Sequence, residues 1–248
     1  VPSGATLIGS VGVTNETATT VWTEGCGVFD VKAYYTALST GKYKISFSSP
    51  YTIYAPKDSS YLFSHSSSAN QLTNLTSISF GNFDTSNVTD MKYMFSNCQA
   101  LTSLDVSNFD TREVTSMIGM FANCSKITSL NLQNFLTYNV TTMRAMFESC
   151  SSLITVNLAK FDTFSVTDME MMFYKCSSLI SLDISMFDMS NATCGAMISD
   201  CSSLTEIKTP SALRNGWSIF LPTKTGYSWV DQANTNNAYT QITSACLS

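Results

Sequence analysis

The chain repeats itself every 26 residues, and no other feature restricts its fold as much. Leu75, Leu101, Ile127, Leu153 and Leu179 are each 26 apart, and Leu204 follows after 25. Phe83, Phe109, Phe135, Phe161 and Phe187 keep the same step, as do Val88, Val114, Val140, Val166 and Ala192. A third column runs through Met91, Met117, Met143 and Met169. The pairs Met94-Phe95, Met120-Phe121, Met146-Phe147 and Met172-Phe173 fade to Met197-Ile198, and Cys98, Cys124, Cys150, Cys176 and Cys201 close the units. Self-similarity of this kind marks a solenoid in which each unit packs only against its neighbours.

Within one unit, Leu101, Leu104 and Val106 form an apolar triplet whose last two members alternate across one polar residue, which predicts a short strand with one buried face. Ser107 to Thr111 reads as a turn, with Phe109 inward and the polar side chains meeting backbone groups. In the first full repeat, Thr89 or Asp90 would cap a short helix reaching about Asn97, because Met91, Met94 and Phe95 stand at i, i+3, i+4. Stacked copies would join the strands into a parallel sheet on one face and set short helices on the other, an α/β solenoid with β-rich caps at both ends. Matching residues would then form ladders about 4.8 Å apart, with the Phe and Met columns as core and not as a cofactor box.

Three regions follow. Residues 1–42 read as an N-terminal β-rich cap, with strand-like stretches at Ala5–Ile8, Thr19–Trp22 and Val31–Tyr35. Residues 43–208 read as the solenoid, regular from about 75. A degenerate unit at Lys57–His65 parallels Thr89–Asn97, preceded by a strand at Ile45 and Phe47 and followed by about six extra polar residues around Ser66 to Gln71. Residues 209–248 read as a C-terminal hairpin cap, Trp217–Leu221 against Tyr227–Val230, whose aromatics plug the last coil.

Five of the eight cysteines occupy one repeat position. In-register side chains point the same way, about 4.8 Å apart, whereas a disulfide needs facing Cβ atoms about 3.8 Å apart. The spacing therefore predicts a ladder of free, buried thiols. Cys194 continues the Met column once a single deletion is allowed for. Cys26 and Cys246 stand outside the array, either bridged to each other or left as single thiols or pairs between chains.

Charged residues are only 12% of the chain, roughly half the usual share, and Ser, Thr and Asn do the solvating. Lys+Arg 13 against Asp+Glu 18 gives a net charge of -5, which provides no footprint for nucleic acid or anionic membrane. No stretch approaches the roughly 18 apolar residues that would insert in a bilayer. Val1 does not open a signal sequence, so a leader was removed or the chain was trimmed. Asn15, Asn74, Asn87, Asn123, Asn139 and Asn191 begin N-glycosylation triplets, which also arise by chance in a chain this rich in Ser, Thr and Asn.

Signs of catalysis are missing. The one histidine, His65, stands in a column held by Asn97 and Asn123 and reads as a surface turn residue. No metal-ligand spacing, phosphate loop or nucleophile elbow is present, so no enzyme and no cofactor is expected. Asp84, Asp110, Asp162 and Asp188 recur as an acidic row that would either hold a cation or cap turns; Leu136 interrupts it.

The unit Leu101-Thr-Ser-Leu-Asp-Val-Ser-Asn-Phe-Asp-Thr, followed by Val114-Thr-Ser-Met and Met120-Phe-Ala-Asn-Cys, resembles the BspA-like leucine-rich-repeat surface proteins. The likeness covers about Lys57 to Leu204, and the segment from Phe220 through Tyr227 to Asn237–Thr240 is similar to that family's cap. The resemblance implies a leucine-rich-repeat α/β solenoid, secreted or on a cell surface, adhering to a protein or glycan of a host, matrix or neighbouring cell. It brings no catalytic residues. In such repeats the Cys position fills the turn before the next strand.

The outward strand positions Ser79, Ser103, Asp105, Ser129, Asn131, Thr155, Asn157, Ser181 and Asp183 are the expected binding face, or a merely solvated sheet. Exposed aromatics at Tyr138, Phe164 and Tyr174 form a second candidate. Low charge leaves room for an alternative, in which copies self-associate into an extracellular fibre or coat.

Overall fold

The computed structural model describes residues 6–10, 32–37, 42–48, 52–64, 74–216, 218–223, 229–230, 238–239 and 241–243. Strands β1 (Thr6–Ser10), β2 (Lys32–Ala37), β3 (Tyr43–Ser48) and, after β4 (Ile53–Tyr54), β5 (Leu75–Ser79) form one sheet in the order β1-β2-β3-β5. The first two pairings are antiparallel and the third is parallel. β3 therefore belongs to both cap and solenoid. Further along, β6 (Phe83–Asp84) pairs in parallel with β4, and β7 (Ser129–Leu130) with β8 (Thr155–Val156).

The final coil uses β9 (Ser181–Asp183), β10 (Asp188–Met189), β11 (Glu206–Lys208) and β12 (Ala212–Leu213), paired in parallel as β9 with β11 and β10 with β12. In the C-terminal cap, β13 (Ser218–Phe220) does not pair with β14 (Trp229–Val230) as the hairpin reading required. β14 pairs with β15 (Ala238–Tyr239), and β13 with β16 (Gln241–Thr243), both antiparallel. Ile219 and Ile242 are buried and Trp229 packs on the solenoid core.

The expected helices are absent: among the described residues there is no α-helix, and the molecule is a parallel β-solenoid. The leucine-rich-repeat α/β class is corrected accordingly. The segment from Met91 to Cys98 is a ribbon of overlapping turns, in which Met94, Ser96 and Cys98 donate their N–H groups to the carbonyls of Met91, Tyr93 and Phe95. The intervening N–H groups of Met91, Tyr93, Phe95 and Asn97 donate to Ser116, Ile118, Met120 and Ala122 of the next coil. An α-helix would have spent its donors inside itself and left none for the next coil.

The ribbon requires left-handed backbone at two positions per coil, found at Tyr93 and Asn97, Gly119 and Asn123, Ala145 and Ser149, Met171 and Lys175, and Ala196 and Asp200. Each non-glycine residue there costs on the order of 1–3 kcal/mol, offset by the bonds to the next coil. Burial at i, i+3, i+4 is still obeyed, since Met91, Met94 and Phe95 are fully buried. That spacing fits the ribbon as well as a helix, which is why it misled.

Like stacks on like inside. Phe63, Phe95, Phe121, Phe147 and Phe173 form a column of near-parallel rings with centroids 5.4, 5.7, 5.7 and 5.1 Å apart. Thr85, Thr111, Thr137 and Thr163 form a second, unanticipated column, buried although polar. The Thr85 hydroxyl donates to the Asp110 carbonyl (2.9 Å) and accepts from the Asp110 N–H (2.7 Å), and Thr111 and Thr137 treat Leu136 and Asp162 alike. Each threonine thus seals a corner where the chain turns too sharply for a ladder.

Candidate functional site

The nine sheet-side positions do come together on one side of the solenoid, at one-coil intervals. Ser79, Ser103, Asp105, Ser129, Asn131, Thr155, Asn157 and Asp183 are exposed, and Ser181 is half-buried. Four are not free to serve a ligand with their whole side chain. Asp105, Asn131, Asn157 and Asp183 accept the N–H groups of Ser107, Gln133, Ala159 and Ser185, at 3.0 to 3.3 Å, and so cap the corner that follows. Lys208 and Ser185 donate to the Asp183 carboxylate and hold it down at about 2, and Ser107 lowers Asp105 in the same manner.

A neighbouring row escaped the sequence reading. Thr102, Thr128, Ile154, Ile180 and Thr205 are exposed one residue before the expected face. Ile154 and Ile180 stand 41% and 49% exposed on consecutive coils, in a shallow groove of about 620 Å³ with Thr128, Ser152, Ser178 and Thr205. The available signal was isoleucine at a register that other repeats give to threonine.

The cysteine ladder has a defined chemistry. Cys98, Cys124, Cys150, Cys176 and Cys201 are buried free thiols. Each S–H donates to the carbonyl of the preceding coil's ribbon phenylalanine or its equivalent: Phe63, Phe95, Phe121, Phe147 and Phe173, at 3.1 to 3.2 Å. Burial pushes Cys98, Cys150 and Cys201 up to about 12 and Cys124 and Cys176 well above the ordinary value, so these groups stay protonated and non-nucleophilic near neutrality. Cys194 is also buried and lies 3.8 Å from the Ser218 carbonyl of the cap. Cys26, Cys246, His65 and Asn15 lie outside the described residues.

The acidic row caps turns: Asp84, Asp110, Asp162 and Asp188 accept the N–H groups of Ser86, Arg112, Phe164 and Ser190. Among the described residues no group of three or more His, Cys, Asp or Glu is placed to hold a metal ion, and no helix is long and apolar enough to cross a membrane. Of the glycosylation triplets, Asn87, Asn139 and Asn191 share one exposed corner column on alternate coils. Asn74 is exposed, whereas Asn123 is half-buried in left-handed backbone. Asn139 donates its amide to the Arg112 carbonyl. Tyr138 and Phe164 are exposed on consecutive coils, while Tyr174 is half-buried beneath the Lys175 ammonium.

One concavity follows from a difference in corner length between the first two coils. From Tyr54 to Lys57 the first coil crosses its corner with two intervening residues, whereas the second uses four, from Asp84 to Thr89. The shortfall leaves the wall of the second coil uncovered. A recess of about 810 Å³ results, bordered by Tyr54, Lys57, Ser86, Asn87, Thr89 and Glu113.

A family model described as "Mycoplasma protein of unknown function, DUF285" matches residues 57–178 and 123–210, which together span more than half the chain. The chain belongs to that family. The matched residues take in the ribbon segments from Asp58 to Asp200, the part of the chain that folds as a repeat solenoid. No curated protein and no solved structure is significantly similar to this member.

Proposed function

We propose that this DUF285 protein is a non-catalytic, secreted or cell-surface binding protein that engages protein or glycan partners through the sides of its solenoid. The observation that carries the reading is the sheet side itself: rows of small polar side chains, broken by Ile154 and Ile180, repeat at one-coil spacing over an otherwise weakly charged surface. Side chains that carry chemistry elsewhere are committed to structure, the thiols to carbonyls and the aspartates to turns. The resemblance of its units to BspA-like surface proteins supports the same reading. A glycan array and a pull-down from host-cell and matrix extracts test it. Capture of a defined partner, weakened by Ile154→Asp, is expected; folded protein with no ligand in either assay defeats the reading.

The second reading is a subunit that assembles into an extracellular fibre or coat. It is favoured by the exposed Ile154 and Ile180 on a surface with few charges to keep copies apart. Electron microscopy at high concentration should show filaments or sheets; monodisperse particles defeat it.

A further inference from the structure

We infer that the recess between the first and second coils is a carbohydrate subsite, taking a terminal neutral hexose of a glycan. The inference rests on the binding-protein reading above and names a ligand class and place for it. The recess exists because the first coil's corner is two residues short, whereas the later corners, Asp110 to Thr115, Leu136 to Thr141 and Asp162 to Thr167, keep the longer form of the second coil. Its volume, about 810 Å³, lies in the range of small-molecule sites and exceeds the needs of one pyranose ring.

The lining matches what a hexose presents. A pyranose has an apolar C–H face and a rim of hydroxyls that both donate and accept. Tyr54 supplies an aromatic surface, 41% exposed, with a phenol at its tip. Asn87 offers an amide that donates and accepts, Glu113 a carboxylate that accepts from neighbouring hydroxyls, and Lys57 an ammonium that donates; all three are exposed. Among the described residues neither Lys57 nor Glu113 has an ion-pair partner within 4.0 Å, so both retain their hydrogen-bonding capacity. The Ser86 N–H is fixed by Asp84 and the Thr89 N–H by the Lys57 carbonyl, which makes the polar wall rigid. One cation and one anion face the same space, so a strongly charged ligand gains no net advantage from the site. The exposed Ile154 and Ile180 lie on the sheet side, away from this corner, and would not take part.

The test uses the whole chain on an array of hexose-terminated oligosaccharides, with free glucose, galactose, mannose and N-acetylglucosamine as competitors. Tyr54→Ala and Glu113→Gln should each weaken retention by roughly tenfold or more, the usual effect of losing an anchor in a small site. A free hexose should compete, and Met186→Ser, at an exposed position outside both the recess and the sheet-side rows, should leave glycan binding unchanged. Unreactive ladder thiols in each variant show that the coils remain folded. Glycan binding that survives Tyr54→Ala places the sugar elsewhere and overturns the inference while the binding-protein reading stands. Capture of protein partners with no glycan retained does the same, and loss of both kinds of binding overturns both.

Discussion

The two sides of each coil are held to their neighbours very differently. On the sheet side, β7 and β8 pair over two residues and β9 and β11 over three. On the ribbon side, one coil gives four N–H groups to the next, as Met117, Gly119, Phe121 and Asn123 do to Thr142, Arg144, Met146 and Glu148. The phenylalanine column and the thiol ladder lie behind the same ribbon. Most of the cohesion between coils therefore sits on the side that sequence patterning assigns to helices, and the strand side is left thin and available.

The largest test of this asymmetry is alkaline titration. Burial raises the folded pKa of the ladder thiols above 9.0, to about 12 at Cys98, Cys150 and Cys201, so the folded chain keeps protons that the unfolded chain releases. Their contribution is complete below about pH 9 and is lost as pH rises from there toward about 12. Denaturant midpoints should fall steeply across that window, and Cys124→Ala with Cys150→Ala should flatten the fall. A midpoint independent of pH up to 11 breaks the ladder argument.

Next in size, Phe147→Ala removes a fully buried ring stacked between Phe121 and Phe173 and should cost about 3–5 kcal/mol in urea unfolding. Thr137→Val keeps the shape but strands the Asp162 N–H and carbonyl, and should cost about 1–3 kcal/mol. A neutral result would mean that water seals that corner. Gly119→Ala places a Cβ about 2.1 Å from the Tyr93 ring on left-handed backbone, and should cost about 1 kcal/mol or more. Adding Tyr93→Ala should recover only the ring's share. On the sheet side, Lys208→Ala breaks the exposed pair with Asp183 and should leave the unfolding midpoint unchanged. A shift as large as that of Gly119→Ala would erase the contrast between the sides.

The period, the core columns and the place of the cysteines were legible because stacking forces like residues together, and a step of 26 survives in the letters. The ribbon was not legible in the same way. Met91, Met94 and Phe95 satisfy helix spacing and are buried, so periodicity alone cannot separate the two conformations. Asn97, Asn123 and Gly119 were the discriminating letters, because asparagine and glycine tolerate left-handed backbone. Tyr93, Ala145 and Met171 at equivalent places hid the pattern. The candidate face was legible as a surface, but its capping role at Asp105 and Asp183 was not, since the partner is the backbone N–H two residues on. The recess follows from a difference in corner length that only the register between coils reveals.

The ribbon's hydrogen bonds have one further property, which is direction. Within the ribbon, the N–H groups that join one coil to the next point from the earlier coil to the later one, from Ser59 to Asp90, Met91 to Ser116, Met117 to Thr142 and Met143 to Asp168, whereas just ahead of it Thr115, Thr141, Thr167 and Thr193 donate back to Thr89, Thr115, Thr141 and Thr167. The ribbon's peptide dipoles lie side by side along the stacking axis and add, as they do in an α-helix, but across separate turns of chain. The ribbon side thus has a polarity, positive toward Cys194–Asp200 and negative toward Asp58–Leu62, and each added coil lengthens the array by one dipole layer.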